Sequence, residues 1–130
     1  MTPEAAVLAA LYGRVESIPG GLPILYGAPG AEQPAEYIQV NHLPNESERL
    51  SLPAGGSIRR QGILQLTLAA TPGQHEIVYV ERAAGIAAHF RDQRLSSSGV
   101  IVTVYKVDIG RGGSDTARWR VPVSVYYRAI

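Results

Sequence analysis

Three histidines are the residues best suited to acid–base or metal chemistry in this chain. His75 and Glu76 begin the two-histidine helical motif of zinc proteases, but Tyr79 stands where that motif needs its second histidine. His89 lies on the polar side of a predicted helix, which favours a solvated ring. Neither position therefore predicts a metal centre.

His42 is the least ordinary of the three histidines. It closes a predicted strand beside Asn41, where hydrogen bonding within a turn is favoured over catalysis. A small-ligand enzyme or binding domain centred on His42 stays open as an alternative. That alternative predicts a concave apolar pocket around the ring.

Nucleophiles and phosphate-binding loops are poorly represented. The chain has no cysteine, which excludes disulfides, thiolate nucleophiles and cysteine-containing zinc sites. Residues 96–99 (SSSG) form a predicted helix-to-strand connection without the pattern of a nucleophile elbow. The glycines of residues 110–113 precede a strand instead of a helix, which predicts a mobile hairpin tip and not a phosphate cradle. We therefore expect no enzyme activity and no cofactor.

Arginine is the remaining functional signal. The chain has 12 basic and 11 acidic residues, and Lys106 is its only lysine. This balance argues against a dedicated nucleic-acid binder and leaves a nucleic-acid-binding accessory protein as a weaker alternative. A solvated surface and a protein–protein interface both fit the arginines, and an arginine-rich strand edge with a tyrosine suits assembly. The interface candidates are Arg59, Arg60, Arg111, Arg118, Arg120, Tyr126 and Arg128.

The first half of the chain predicts one helix followed by strands. Thr2 fits an N-cap and Pro3 the first helical position, and an apolar stripe includes Leu11 and Val15. Residues 19–36 are rich in proline and glycine, which predicts a loop with a short extended piece at 23–26. Residues 37–43 and 59–69 alternate between apolar and polar side chains, as strands do.

A second helix is predicted after Thr71, with Thr71 as N-cap and Gln74 completing a capping box. Its apolar side is predicted to contain Ile77, Val80, Ala83, Ala84, Ala87 and Phe90, and its end to lie near Arg94. Residues 100–109 and 117–127 then predict two strands. Pro122 lacks a backbone donor, so the last strand is expected at a sheet edge or paired on only one side there.

These elements predict an α+β fold in the order α-β-β-α-β-β. We expect a mainly antiparallel sheet of about four strands with two helices on one face. The 130 residues fit a single domain, 1–130. The start of the chain lacks a signal-peptide pattern, and no apolar run approaches the roughly 20 residues that span a bilayer. We therefore expect an intracellular, soluble product with no membrane partner.

Four stretches along almost the whole chain resemble the phage tail-terminator family, small tail completion proteins of tailed phages and prophages. They are residues 37–45 (YIQVNHLPN), 60–66 (RQGILQL), 86–90 (IAAHF) and 118–128 (RWRVPVSVYYR). The resemblance implies an α+β fold similar to the lambda tail terminator. It also implies a homo-oligomeric ring, typically a hexamer, that caps the tail tube and offers a surface for the head.

The partners implied by the resemblance are further copies of the chain, the tail tube protein and a head-completion protein, with no specific nucleic acid. The implied locations are the host bacterial cytoplasm during assembly and the virion tail. The family supplies no catalytic residues to carry over. It also gives no interface motif to match, so the interface candidates above depend on strand parity and loop position alone.

Overall fold

The computed structural model describes residues 2–27, 34–44, 48–49, 58–114 and 117–129. Within these ranges the chain forms two helices and eight strands. In chain order they are α1 (Pro3–Glu16), β1 (Ile24–Tyr26), β2 (Tyr37–Pro44), β3 (Glu48–Arg49), β4 (Ile58–Ala70), α2 (Glu76–Phe90), β5 (Arg94–Ser97), β6 (Val100–Ile109), β7 (Gly113–Ser114) and β8 (Trp119–Ala129).

The strands form one sheet in the order β1-β2-β4-β8-β6-β5, with β3 paired to β4 and β7 paired to β8. The β1–β2 pair is parallel, and the other described pairs are antiparallel. The predicted α+β class and its two helices are confirmed. The prediction of about four strands in the order α-β-β-α-β-β is wrong, because it omits the short strands and the parallel pair.

Two short strands explain most of that difference. The extended piece expected near residues 23–26 is β1, which pairs with the start of β2. The stretch interpreted as a helix-to-strand connection is instead a hairpin between β5 and β6. Ser98 and Gly99 form its two-residue turn with φ of 48° and 81°, the left-handed backbone that tight hairpin turns require.

Pro122 lies in a central strand and not at a sheet edge, but it is paired on only one side, which confirms the second of its two predicted placements. β8 is flanked by β4 and β6, and Pro122 itself pairs with Thr67 of β4. On its other side the β6 pairing stops at Val123, and the Gly110 N–H donates to the Pro122 carbonyl oxygen over 2.7 Å. The backbone position without a donor therefore faces the break between β6 and β7, where a ladder bond is not needed.

Residues 110–113 are not the hairpin tip that the sequence predicted, because Gly113 and Ser114 still pair with β8, and Gly110 and Gly112 lie close to that strand. A Cβ on Gly110 would lie 2.7 Å from Pro122 Cγ, and a Cβ on Gly112 would lie 2.6 Å from Trp119 Nε1. Glycine at both positions therefore lets the chain pass close beside β8.

The inner face of the sheet carries both helices. Its apolar side chains include Leu64, Leu66 and Leu68 of β4 and the alternate valines of β8, and they form one core with α1 and α2. The predicted alternation of β2, β4 and β8 is confirmed by this burial pattern. In α1 the Ala5 N–H donates to Thr2 Oγ1 over 3.2 Å, so the predicted N-cap is also confirmed.

α2 begins later than predicted, because the residues before it form a turn. Gly73 has φ of 92°, which no right-handed helix accepts, and the His75 side chain caps the helix by accepting from the Ile77 N–H over 3.2 Å. The Tyr79 hydroxyl donates to the Thr71 carbonyl oxygen over 2.6 Å and so holds this turn against the helix.

The predicted apolar side and end of α2 are corrected as well. Tyr79 and Ile86 are buried together with Ala83, Ala87 and Phe90. Tyr79 stacks on Trp119 with ring centroids 5.2 Å apart, and this contact fixes which side of the helix meets the sheet. Ile77 and Val80 consequently point away from the core. The helix ends at Phe90, and Arg94 already belongs to β5.

Candidate functional site

The sheet has a second, open face on which neither helix packs. Strand register places on it Asn41 and Leu43 of β2, Ile63 and Gln65 of β4, Ser124, Tyr126 and Arg128 of β8, and Thr103, Lys106 and Asp108 of β6. The interface candidates of β8 were chosen because alternate residues of this strand were predicted to point away from the core. That prediction is correct for Arg120, Tyr126 and Arg128, which alternate with the buried valines and Tyr127.

Arg118 and Arg120 lie over Tyr37 at one end of the open face. Arg118 Nη2 donates to the Pro34 carbonyl oxygen over 2.9 Å, and Arg120 Nη2 donates to the Tyr37 hydroxyl over 3.1 Å. Both guanidinium groups also lie within 6 Å of the Tyr37 ring centroid. Tyr37 is fully buried on a face that has no helix, so these arginines act as its cover.

Tyr126 and Arg128 lie at the other end, in what we name the aromatic–basic patch: Ile101, Tyr105, Lys106, Tyr126 and Arg128. The Arg128 guanidinium lies 4.2 Å from the Tyr105 ring centroid, and Lys106 Nζ lies 5.0 Å from that of Tyr126. A register shift between Val104 and Lys106 makes Tyr105 an extra residue in β6. This β-bulge turns two consecutive side chains outward, and Tyr105 stays 45% exposed.

The remaining arginine candidates do not belong to this patch. Arg60 is on the inner face, where its Nη2 lies 3.1 Å from Glu4 Oε1 of α1. Arg111 is exposed in the break between β6 and β7. The backbone of Arg59 pairs with Glu48, and its side chain lies outside the described part of the structure. The seven candidates therefore separate into several locations instead of one surface.

His42 packs against Tyr127 on the inner face. The two rings stack with centroids 5.8 Å apart, and His42 Nε2 and the Tyr127 hydroxyl form a hydrogen bond. Burial lowers the pKa of His42 and raises the pKa of Tyr127 to about 12, so both groups stay neutral near pH 7. The pair is a partly buried polar contact between two neutral groups.

An open cavity of about 410 Å³ lies between α2, β2 and the segment after α1. Glu36 and Arg82 form a bidentate ion pair at its wall, with N–O distances of 2.9 and 3.2 Å. Arg82 and the Thr71 N–H lower the pKa of Glu36, which accepts from both. The other lining residues are mainly apolar: Ile18, Pro19, Gly20, Leu22, Ile38, Leu68, Gly85 and Ile86. His42 is not among the lining residues. The cavity therefore does not support a ligand site centred on His42.

One surface was missed by the sequence reasoning, the outer surface of α2. We define it by Ile77, Val78, Val80, Glu81, Ala84, Gly85 and Ala88, and Ile77 and Val80 are 64% and 48% exposed. Ile77 and Val80 were predicted to face the core because they fall on an apolar stripe. Tyr79 was the available signal, since an aromatic side chain in the first turn can take the core position in their place.

Within the described ranges, no group of three or more His, Asp or Glu side chains is placed to hold a metal ion. In the same part of the chain, neither helix is long and apolar enough to cross a bilayer.

Comparison with known proteins gives one family and one fold. No curated protein matches the chain. A solved structure that carries only a catalogue identifier as its name superimposes with a TM-score of 0.70 at 21% sequence identity, covering 98% of this chain and 92% of the other. At that identity the match establishes the fold. A family model described as phage tail terminator protein matches residues 6–127.

That match extends from within α1 to Tyr127 of β8, and so includes all of α2 and the aromatic–basic patch except Arg128. It agrees with the resemblance carried by the four stretches between residues 37 and 128. The chain belongs to the phage tail terminator family.

Proposed function

We propose that this chain completes the phage tail by forming a homo-oligomeric ring on the end of the tail tube and helping to join the tail to the head. The family match over residues 6–127 is the observation that carries the proposal, since it supports a structural role in phage tail assembly and a place in the virion tail. The proposed partners are further copies of the chain, the tube protein and a head-completion protein.

The surface chemistry agrees with a structural role of this kind. The open face combines tyrosine and arginine side chains, the residue types that contribute most energy to protein–protein contacts. A ring follows when one contact between different surfaces of the same chain repeats with a rotation that closes. A bound ring covers the growing end of the tube and so stops the addition of further tube subunits.

The test uses a phage or prophage from which the gene has been deleted, supplied with the chain in trans. Wild-type protein is expected to restore tails of uniform length that carry heads, as counted by electron microscopy. Without the protein, tubes should vary in length and remain headless. Uniform, head-bearing tails in the deletion strain would contradict the proposal.

A matched pair of variants refines this test. Arg128→Glu reverses a charge in the aromatic–basic patch, and Arg91→Glu makes the same change at the exposed C-cap of α2. Arg128→Glu should reduce head-bearing tails at least tenfold while Arg91→Glu supports assembly. Arg118 and Arg120 are unsuitable for this purpose, because their contacts with Tyr37 and residues 34–35 make charge reversal a test of folding.

A further inference from the structure

The outer surface of α2 is apolar where a helix normally meets water. Ile77, Val78 and Val80 are among the most exposed large apolar side chains of the described residues. Ala84 and Ala88 continue this surface along the helix. A surface helix usually places charged residues on this side, so the pattern indicates a surface that is covered in an assembled state.

Gly85 supports the same conclusion independently. It lies in the interior of α2, where glycine costs roughly 0.5–1 kcal/mol relative to alanine. A Cβ at this position would meet nothing within 4 Å, so no described neighbour requires glycine. A residue that is costly in the helix and unexplained within the chain fits the close approach of another backbone.

The charges on the two surfaces are opposite. The outer surface of α2 carries Glu81, and Glu76 lies beside it in the first turn. On the open face, Arg94 and Arg128 both neighbour Thr103, and Lys106 is accompanied by one acid, Asp108. The outer surface of α2 is therefore acidic and aliphatic, and it is complementary in charge to the aromatic–basic patch.

We propose that the outer surface of α2 in one copy docks on the aromatic–basic patch of the next copy. This inference rests on the proposed function, since it assigns the contact between subunits of the ring. The second copy is the occupant because one chain carries both complementary surfaces. They lie on opposite sides of the sheet, so they cannot meet within a chain and the contact is head-to-tail.

The absence of cysteine in the sequence permits a direct test by cross-linking. Ala88→Cys labels α2 and Thr103→Cys labels the open face, between Arg94 and Arg128; both side chains are exposed. The two variants are mixed, one of them isotopically labelled, and treated with a short bis-maleimide. Ala5→Cys, an exposed alanine of α1, replaces Ala88→Cys in the control mixture.

The expected product is a mixed dimer from Ala88→Cys and Thr103→Cys, at least tenfold more abundant than in the control mixture. A yield equal to the control overturns the proposal. Efficient linkage of Ala88→Cys to itself also overturns it, because that product requires a two-fold contact between helices.

Charge exchange gives a second, independent test. Glu81→Arg and Arg128→Glu should each lower self-association by about tenfold, as measured by analytical ultracentrifugation or by cross-linking yield. Mixing the two variants should restore association. The altered α2 of Glu81→Arg can then dock on the altered patch of Arg128→Glu, and the two unaltered surfaces can dock on each other. Failure of the mixture to recover, with both variants folded, overturns the proposed contact.

These tests are separable from the test of the proposed function. If wild-type protein caps tubes but the cross-links do not form, this contact is wrong and the tail function stands. If the cross-links form and the protein does not restore tails, the contact stands and the proposed function fails.

Discussion

Gly62 of β4 faces Tyr127 of β8 so closely that the pair constrains both strands. A Cβ on Gly62 would lie 2.7 Å from the Tyr127 hydroxyl and 3.0 Å from the Leu43 carbonyl oxygen. The same hydroxyl forms a hydrogen bond with His42, so the Tyr127 side chain has little room to move away. Glycine at 62 therefore allows a buried tyrosine and histidine to share one site.

Gly62→Ala should lower the free energy of unfolding by about 1–3 kcal/mol, because the added methyl overpacks this site. Gly85→Ala is the matched control and should raise that free energy by about 0.5–1 kcal/mol, because open space surrounds it in a helix. Urea unfolding measures both. Equal effects of the two substitutions would show that the Tyr127 contact does not constrain β4.

Histidine burial should make stability depend on pH. Burial lowers the pKa of His42 and that of His89, where the Arg14 guanidinium contributes as well. The unfolded chain therefore binds protons first as the pH falls below the ordinary value of 6.5, and stability is lost from there down to the folded pKa. Glu36 has a lowered pKa, so its own loss belongs to the region near and below 4.5.

Urea unfolding between pH 7.5 and 5 isolates the histidine contribution. We expect the free energy of unfolding to fall across this range and the slope to be shallower in His42→Gln. A free energy that stays constant or rises as the pH falls would contradict the assignment.

At the scale of elements, α2 is positioned by side-chain contacts that a periodic pattern does not encode. Apolar alternation predicted β2, β4 and β8, because strands packed on one face repeat every two residues, and β-branched residues predicted β6. It did not predict the phase of α2, which depends on Tyr79 stacking on Trp119. It also omitted β5, since the turn at Ser98 and Gly99 resembles an ordinary loop until its positive φ angles are seen.

The candidate site, like the secondary structure, could be predicted only in part from the sequence. Strand parity placed Tyr126 and Arg128 on an exposed face correctly, because β8 alternates strictly. It could not reveal that Arg60 lies on the other face beside Glu4, nor that Arg118 and Arg120 are engaged with Tyr37. These contacts join positions far apart in the sequence, so no local pattern contains them.

The Glu36–Arg82 pair should stabilise the attachment of α2 to the segment that precedes β2. Both side chains are 28% exposed and form two hydrogen bonds, so Arg82→Met should cost about 1–2 kcal/mol of unfolding free energy. Lys106→Met is the control, since Lys106 and Asp108 are about half exposed and such pairs contribute roughly 0–1 kcal/mol. Thermal or urea unfolding compares them, and an equal loss in both variants would contradict this role.

For the whole molecule, the proposed subunit contact joins an acidic helix surface to a basic sheet surface. Attraction between exposed charges is screened within about 10 Å at 0.1 M salt. The cross-linking yield of Ala88→Cys with Thr103→Cys should therefore fall several-fold as ionic strength rises from roughly 0.05 to 0.5 M. A yield that rises with salt would show that apolar burial alone determines the contact.

The placement of β8 has a consequence for synthesis on the ribosome. β8 lies between β4 and β6 in the sheet, and it pairs with β4 along eleven positions and also with β6. A nascent chain that has emerged only as far as β6 therefore has two unjoined halves, with β2 and β4 on one side and β5 and β6 on the other. The open face becomes continuous only when residues 119–129 pair with both halves, so the surface of the proposed subunit contact forms only after β8 has been synthesised.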